Sequence, residues 1–119
     1  MTLRLQDVSK YVGQEMHLEG VNLTLEPGSR NVILGRTLAG KTSVLRILAG
    51  LDRPKPGKIL FGETDLTGVS VRKRSVAMVY QQFINYPSQT VYKNIASPLK
   101  VLGMKSSEID ERVQRTAKM

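Results

Sequence analysis

Residues 35–42 bring together glycine, lysine and threonine at a spacing that suits phosphate chemistry. They read Gly-Arg-Thr-Leu-Ala-Gly-Lys-Thr and match the pattern G-x-x-x-x-G-K-[ST] at every fixed position. Gly40 lets the main chain approach an anion without a Cβ in the way. Lys41 offers a positive charge to the β- and γ-phosphates, and Thr42 offers a hydroxyl to Mg²⁺. The spacing therefore predicts a loop that binds the phosphates of a nucleotide.

The loop is predicted to connect a strand to a helix. Residues 31–34 are an apolar run without alternation, which is typical of a strand buried on both faces. Residues 42–49 have apolar side chains at helical spacing, and Gly50 is suited to end that helix. The free N–H groups and the dipole at such a helix start favour an anion. The residues expected to contact the nucleotide are those of the loop and the first helical turn, Gly35, Arg36, Thr37, Leu38, Ala39, Gly40, Lys41, Thr42 and Ser43.

The surrounding pattern predicts an α/β fold. Alternating apolar residues indicate half-exposed strands at 3–9 and 21–25. A further strand is predicted at Lys58–Phe61, and a second buried strand at 76–80.

The C-terminal part is predicted to be helical. Helical spacing predicts a helix at 91–102 that Pro98 bends or interrupts. A last helix is predicted with Ser107 as its N-cap and with acidic residues in its first turn.

Composition excludes several classes of site. The 119 residues contain no Cys and one His, His17, so thiolate zinc sites, disulfide scaffolds and histidine clusters are excluded. We interpret His17 as an exposed structural residue in the loop between the first two strands. No apolar run approaches the roughly 18 residues of a membrane span. Eighteen Lys and Arg against ten Asp and Glu give a net charge of +8. This excess is spread along the chain, so we expect no nucleic-acid partner.

Three further segments resemble the nucleotide-binding domain of ATP-binding cassette (ABC) transporters. Residues 8–11 resemble the family's opening strand with its adenine-stacking aromatic, and residues 48–59 resemble its helix-end and glycine-turn segment. Residues 76–81 resemble the strand that leads into the Q-loop, with Gln81 placed 40 residues after Lys41. The resemblance extends over essentially the whole chain. It implies a P-loop NTPase fold, here its N-terminal half, with an antiparallel β subdomain and the start of the helical subdomain.

The resemblance also implies ATP and Mg²⁺ as ligands. Tyr11 would stack on adenine, a contact that is typically worth about 1–3 kcal/mol; the alternative is a tyrosine that only covers the edge of the core. Gln81 would join Thr42 in the Mg²⁺ shell.

The segment after the Q-loop resembles that of carbohydrate and polyol importers. There Phe83 and Tyr86 would anchor membrane permease subunits, although both could equally pack within the helical subdomain. The resemblance implies an ATP-binding subunit that couples ATP binding and hydrolysis to uptake of a sugar, polyol or related small solute. It implies a peripheral position on the cytoplasmic face of the bacterial inner membrane, and a homodimer in the full-length protein.

The chain also departs from the family pattern. Arg36 and Leu38 stand where the family usually has Pro and Gly in its loop. Nothing in the sequence resembles the signature motif, the Walker B strand or the switch histidine. We therefore interpret residues 1–119 as the N-terminal part of the domain, without catalytic residues, able to bind ATP but not to hydrolyse it.

Other functions remain open on the sequence. The alternatives are a non-transport ATPase of the same superfamily, a P-loop small-molecule kinase and a basic nucleic-acid-binding module.

Overall fold

The computed structural model describes residues 1–119, which form two compact units, Met1–Val79 and Tyr80–Met119. None of its helices has the length and apolar character that a membrane span requires. The elements in chain order are β1 (Leu3–Val12), β2 (Glu15–Leu25), α1 (Lys41–Ala49), β3 (Lys58–Phe61), β4 (Thr64–Asp65), a 3₁₀ turn (Val71–Lys73), α2 (Val91–Val101) and α3 (Ser106–Ala117).

The first unit is built on an antiparallel sheet in the order β2-β1-β3-β4. β1 lies between its neighbours, and Leu5 pairs with Leu23 on one side and with Ile59 on the other. The β1–β2 hairpin is longer than predicted and places His17 within β2, so its expected position in a loop is wrong. Gly13, with φ +63°, starts the tight turn between the two strands.

Helix α1 packs its apolar side on this sheet. The shared core contains Leu5, Val8, Leu18, Val44, Ile47, Leu48 and Ile59. Gly50 ends the helix in a left-handed conformation, and its N–H faces the carbonyls of Arg46 and Ile47, as predicted for a glycine cap.

Arg74 closes the carboxyl end of α1 from outside the helix. Its guanidinium donates to the backbone oxygens of Leu66, Val69 and Leu48. A Cβ at Gly50 would lie 2.7 Å from the Arg74 Cζ atom. Burial lowers the pKa of Arg74 below its usual value. The arginine therefore joins the helix end to the segment after β4.

The two predicted buried strands are absent. Residues 31–34 and 76–80 are irregular, and no strand pairs with either. Their apolar side chains lie largely in solvent: Leu34 is 87 % exposed and Val79 is 95 % exposed. A strand buried on both faces needs hydrogen-bonded neighbours and a covering layer on each side. The paired strands come only from residues 3–25 and 58–65. A local apolar run was therefore not enough to predict a buried strand at 31–34 or at 76–80.

The second unit contains an α2–α3 pair. The helices pack through Ala96, Ile109 and Val113, which are buried. The Tyr92 hydroxyl donates to Asp110 Oδ1 at 3.0 Å. Burial, together with this hydrogen bond, raises the pKa of Tyr92 above its usual value.

The ends of these helices differ in part from the prediction. α2 starts at a Thr90 cap, whose hydroxyl accepts from the Lys93 N–H at 3.2 Å, and it continues through Pro98. α3 starts two residues earlier than predicted, with Lys105 in place of Ser107 at the N-cap position.

Candidate phosphate-binding site

Residues 35–40 form a loop that leads directly into α1. The Ala39 N–H donates to the Arg36 oxygen at 3.1 Å, and the Val44 N–H makes the first helical bond, to Gly40, at 3.0 Å. The N–H groups of the first helical turn have no acceptor within the helix. They are therefore available to an anion placed at the helix start.

Gly40 lies against strand β2. A Cβ on this residue would come within 2.8 Å of Leu18 Cδ2 and 3.0 Å of the His17 oxygen. Its φ of +97° is also a backbone angle that favours glycine. The sequence motif indicated the need for a close approach to phosphate, whereas this contact with β2 carries no sequence signal.

The Lys41 side chain folds back over the loop. Its ammonium group donates to the backbone oxygens of Gly35 and of Arg36, the latter at 2.8 Å. The first turn of α1 contains no acidic residue, and Lys41 forms no ion pair. The positive charge at the helix start is therefore not neutralised by a carboxylate.

The other side chains of the loop and of the first helical turn lie largely in solvent. Arg36, Thr37, Leu38 and Ala39 are exposed, as is Thr42, whereas Ser43 is half-buried. Leu38 adopts φ +66°, the left-handed conformation that a non-glycine residue takes at a cost of about 1 kcal/mol.

The Thr42 hydroxyl fits a magnesium ion that arrives with its nucleotide. It is a hard oxygen donor at the second residue of α1, and Mg²⁺ commonly takes one or two protein oxygens together with phosphate oxygens and water. No group of three His, Asp or Glu side chains in the structure could hold a metal by itself.

Tyr11 lies near the turn of the β1–β2 hairpin. It pairs with Met16, and its side chain is 49 % exposed, outside the buried core cluster. The next residues along β2 are His17 and Leu18, which contact Gly40. Tyr11 and the loop are thus both placed around this end of the hairpin in the first unit, while the stacking role of Tyr11 stays a prediction.

Gln81, Phe83 and Tyr86 belong to the second unit. All three are exposed in an irregular segment, and Phe83 is fully exposed. The metal role of Gln81 and the docking roles of the two aromatics stay predictions.

The Asn94 side chain organises the segment that carries Tyr86. Its Oδ1 accepts from the Tyr86 N–H at 2.7 Å, and its Nδ2 donates to the oxygens of Tyr86, Gln89 and Thr90 at 2.9–3.3 Å. A single asparagine has no period or motif, so sequence reasoning missed it.

A second missed group links β1 to the end of α1. Asp52 accepts from Arg46 Nε at 2.8 Å and from Nη2 at 3.0 Å, and it also accepts from the Lys10 ammonium. The hydrogen bonds from Arg46 and Lys10 lower the pKa of Asp52 to about 2, although burial opposes the shift.

A shallow depression also lies on the sheet, away from the loop residues. It has a volume of about 290 Å³ and is lined mainly by side chains of β1 and β2. It includes no residue of the 35–43 segment.

The family model for the ABC transporter matches residues 18–119. The chain belongs to the ABC transporter family. This membership excludes the small-molecule kinase alternative, whose phosphate loop would belong to a different family.

Curated relatives of the chain are named as ATP-binding proteins of importers. The spermidine/putrescine import ATP-binding protein PotA of Pseudomonas aeruginosa (strain UCBPP-PA14) is 40% identical over 116 residues, covering 98% of this chain and 32% of the relative. The Fe(3+) ions import ATP-binding protein FbpC of Brucella abortus (strain 2308) is 36% identical over 118 residues, covering 99% and 33%. The chain thus spans about a third of the length of these relatives.

Solved structures with the same architecture come from the ATP-binding cassette MJ0796. Its dimeric post-hydrolysis state bound to ADP and Pi superposes with a TM-score of 0.84 at 26% identity, covering 98% of this chain and 56% of that chain. A second dimeric structure gives a TM-score of 0.80 at 28% identity, covering 92% and 53%. The predicted fold class is confirmed: this ABC transporter chain has the N-terminal portion of the ABC ATPase fold.

Proposed function

We propose that the chain binds Mg²⁺-ATP at residues 35–43. The observation that carries this proposal is the start of α1, where free N–H groups and the unpaired charge of Lys41 meet at an exposed loop. Lys41 exchanges its two carbonyl partners for the β- and γ-phosphates, and Thr42 contacts the ion. The bound Mg²⁺ supplies charge neutralisation to the phosphates.

The other roles in this proposal belong to Tyr11 and Gln81. The exposed Tyr11 ring is free to stack on adenine beyond the hairpin end. The Gln81 amide oxygen is a hard donor of the kind that Mg²⁺ prefers.

The whole protein is proposed to be the ATP-binding subunit of an importer. It would couple ATP binding and hydrolysis to solute uptake, as a dimer at the cytoplasmic face of the inner membrane. The names of the relatives and the dimeric MJ0796 structures support this. Permease subunits would dock on the exposed aromatics Phe83 and Tyr86, residue types that commonly anchor protein interfaces.

The class of solute is a finer part of the proposal. The sequence after Gln81 favours a sugar or polyol, whereas the relatives reported above are named for polyamine and ferric-ion import. We place a polyamine or ferric ion first, because the relatives named for these solutes are 36–40% identical to this chain over nearly its whole length.

The test of nucleotide binding compares two lysine variants. Lys41→Ala removes the charge at the helix start, and it should weaken Mg²⁺-ATP binding roughly 10- to 150-fold, the usual worth of a charged hydrogen bond. Lys58→Ala removes an exposed lysine at the start of β3, and it should change the affinity less than about twofold. Isothermal titration calorimetry on folded samples measures both. Equal affinities would refute the assignment.

A further inference from the structure

The end of β1 that carries Tyr11 is not held by a regular ladder. The β1–β2 pairing shifts register between Val8 and Lys10 and again between Lys10 and Tyr11. Irregular pairing of this kind leaves backbone groups unpaired and bends the strand. Tyr11 itself pairs with Met16 beyond these shifts, so its placement relative to α1 depends also on contacts outside the β1–β2 ladder.

The segment after α1 supplies such contacts to β1. The Ser9 N–H donates to the Pro56 oxygen at 2.9 Å, and the Lys55 N–H donates to the Ser9 oxygen at 2.8 Å. Gly57 lies so close that a Cβ would be 2.5 Å from Val8 Cα. These contacts stop at Ser9, two residues before Tyr11.

Asp52 extends this connection by one residue along β1. Its carboxylate accepts from Lys10, the immediate neighbour of Tyr11, and from Arg46 in the last turn of α1. The Lys10 and Asp52 side chains are only 16% and 19% exposed, so solvent screens the pair weakly. The carboxylate thereby joins the strand of Tyr11 to the helix that begins at the phosphate loop.

We propose that Asp52 is a positioning residue, which holds Tyr11 in register with the phosphate loop through Lys10 on β1 and Arg46 on α1. The inference rests on the proposed ATP site. Its consequence is specific: Asp52 affects the adenine part of binding, while the phosphate part, which depends on Lys41, stays intact.

A double-mutant cycle tests this coupling with two probes, Mg²⁺-ATP and Mg²⁺-tripolyphosphate. In the native background, Tyr11→Ala should weaken ATP binding roughly 5- to 150-fold, the usual worth of a stacked base. In the Asp52→Asn background the same change should cost less than about threefold, because the ring is already out of place. Tripolyphosphate affinity should stay within about twofold in Asp52→Asn.

The control variant is Glu63→Gln, which removes an exposed carboxylate whose nearest cation, Arg4, is 3.9 Å away. In the Glu63→Gln background, Tyr11→Ala should weaken ATP binding by the same factor as in the native background. If Asp52→Asn does not fold, Lys10→Gln removes the contact between β1 and Asp52 instead. In that background too, Tyr11→Ala should weaken ATP binding by less than about threefold.

A purely stabilising role for Asp52 would lower the melting temperature but leave the Tyr11→Ala factor equal in both backgrounds, and that result would overturn the inference. A Tyr11→Ala variant that binds ATP normally in the native background would overturn it too. If the native chain shows no Lys41-dependent binding of tripolyphosphate, the proposed ATP site itself fails, and the inference fails with it.

Discussion

Gly40 is constrained from two sides. Strand β2 approaches it through Leu18 and the His17 carbonyl, and the anion is proposed to approach from the loop side. Its left-handed φ of +97° adds a third reason for glycine. The sequence motif indicates only that glycine is needed for the approach of phosphate. It does not indicate that the contact with β2 and the left-handed φ also require glycine at this position.

Gly40→Ala should therefore lower the free energy of unfolding. We expect a loss of about 1–3 kcal/mol, the usual cost of overpacking a close contact. Gly28→Ala is the matched control, because Gly28 also has a positive φ, +70°, but has no atom within 4 Å of an added Cβ. Urea denaturation of both variants measures the difference. Equal losses would show that the contact with β2 is not tight.

Leu38 shows how the loop tolerates its departure from the family pattern. Its φ of +66° lies within the left-handed region, and its side chain is fully exposed, so no neighbour opposes it. A leucine is therefore accommodated at this position with the left-handed backbone as its only cost.

At the level of elements, Asp52 makes the connection between β1 and α1 depend on pH. Its folded pKa of about 2 lies below the ordinary value of 3.8, so ionised Asp52 favours the folded state. This contribution is present above about pH 4 and is lost as the pH falls through about 2. The difference of nearly two pKa units corresponds to about 2 kcal/mol.

Asp52→Asn should consequently be about 2 kcal/mol less stable than the native chain at neutral pH, with a smaller difference in acid. Urea denaturation at about pH 7, 4 and 3 measures the trend. Glu63→Gln serves as the exposed control, for which the difference should stay near zero. A gap between Asp52→Asn and native that does not shrink towards pH 3 would contradict the ion-pair explanation.

Elements whose signal is local were predicted well. The alternation in β1 and β2, the helical spacing before Gly50 and the short strand β3 all have their predicted types in the structure. Their boundaries differ, because the hairpin continues beyond the apolar residues to its turn at Gly13.

Features that depend on distant partners were predicted poorly. The buried strands at 31–34 and 76–80 required neighbouring strands that the apolar pattern alone cannot guarantee. Asp52, Arg74 and Asn94 act through single polar contacts, which leave no periodic signal in the sequence. In the site, the phosphate loop could be located from its motif, whereas its contact with β2 could not.

At the scale of the whole molecule, binding and hydrolysis are separable. Hydrolysis requires a residue that orients the attacking water as well as a cradle for the phosphates. The sequence contains the cradle but nothing that resembles the Walker B strand, the signature motif or the switch histidine. The 119-residue chain should therefore release phosphate from ATP no faster than its Lys41→Ala variant.

A coupled phosphate-release assay measures this rate. A longer chain that contains those three motifs should hydrolyse ATP as a dimer. Sustained turnover by the 119-residue chain that disappears in Lys41→Ala would contradict the prediction, and it would require a self-sufficient catalytic site within these residues.

The central claim is that nucleotide binds at the start of α1, and amide chemical-shift mapping by NMR tests it most directly. On titration with Mg²⁺-ATP, the largest shifts should fall on Ala39, Gly40, Lys41 and Thr42, which lie at the end of the loop and the start of α1. The same titration on Lys41→Ala should give much smaller shifts. Shifts that instead concentrate on the sheet depression lined by Arg4, Leu5, Gln6, Asn22, Leu23, Thr24 and Leu60 would contradict the claim.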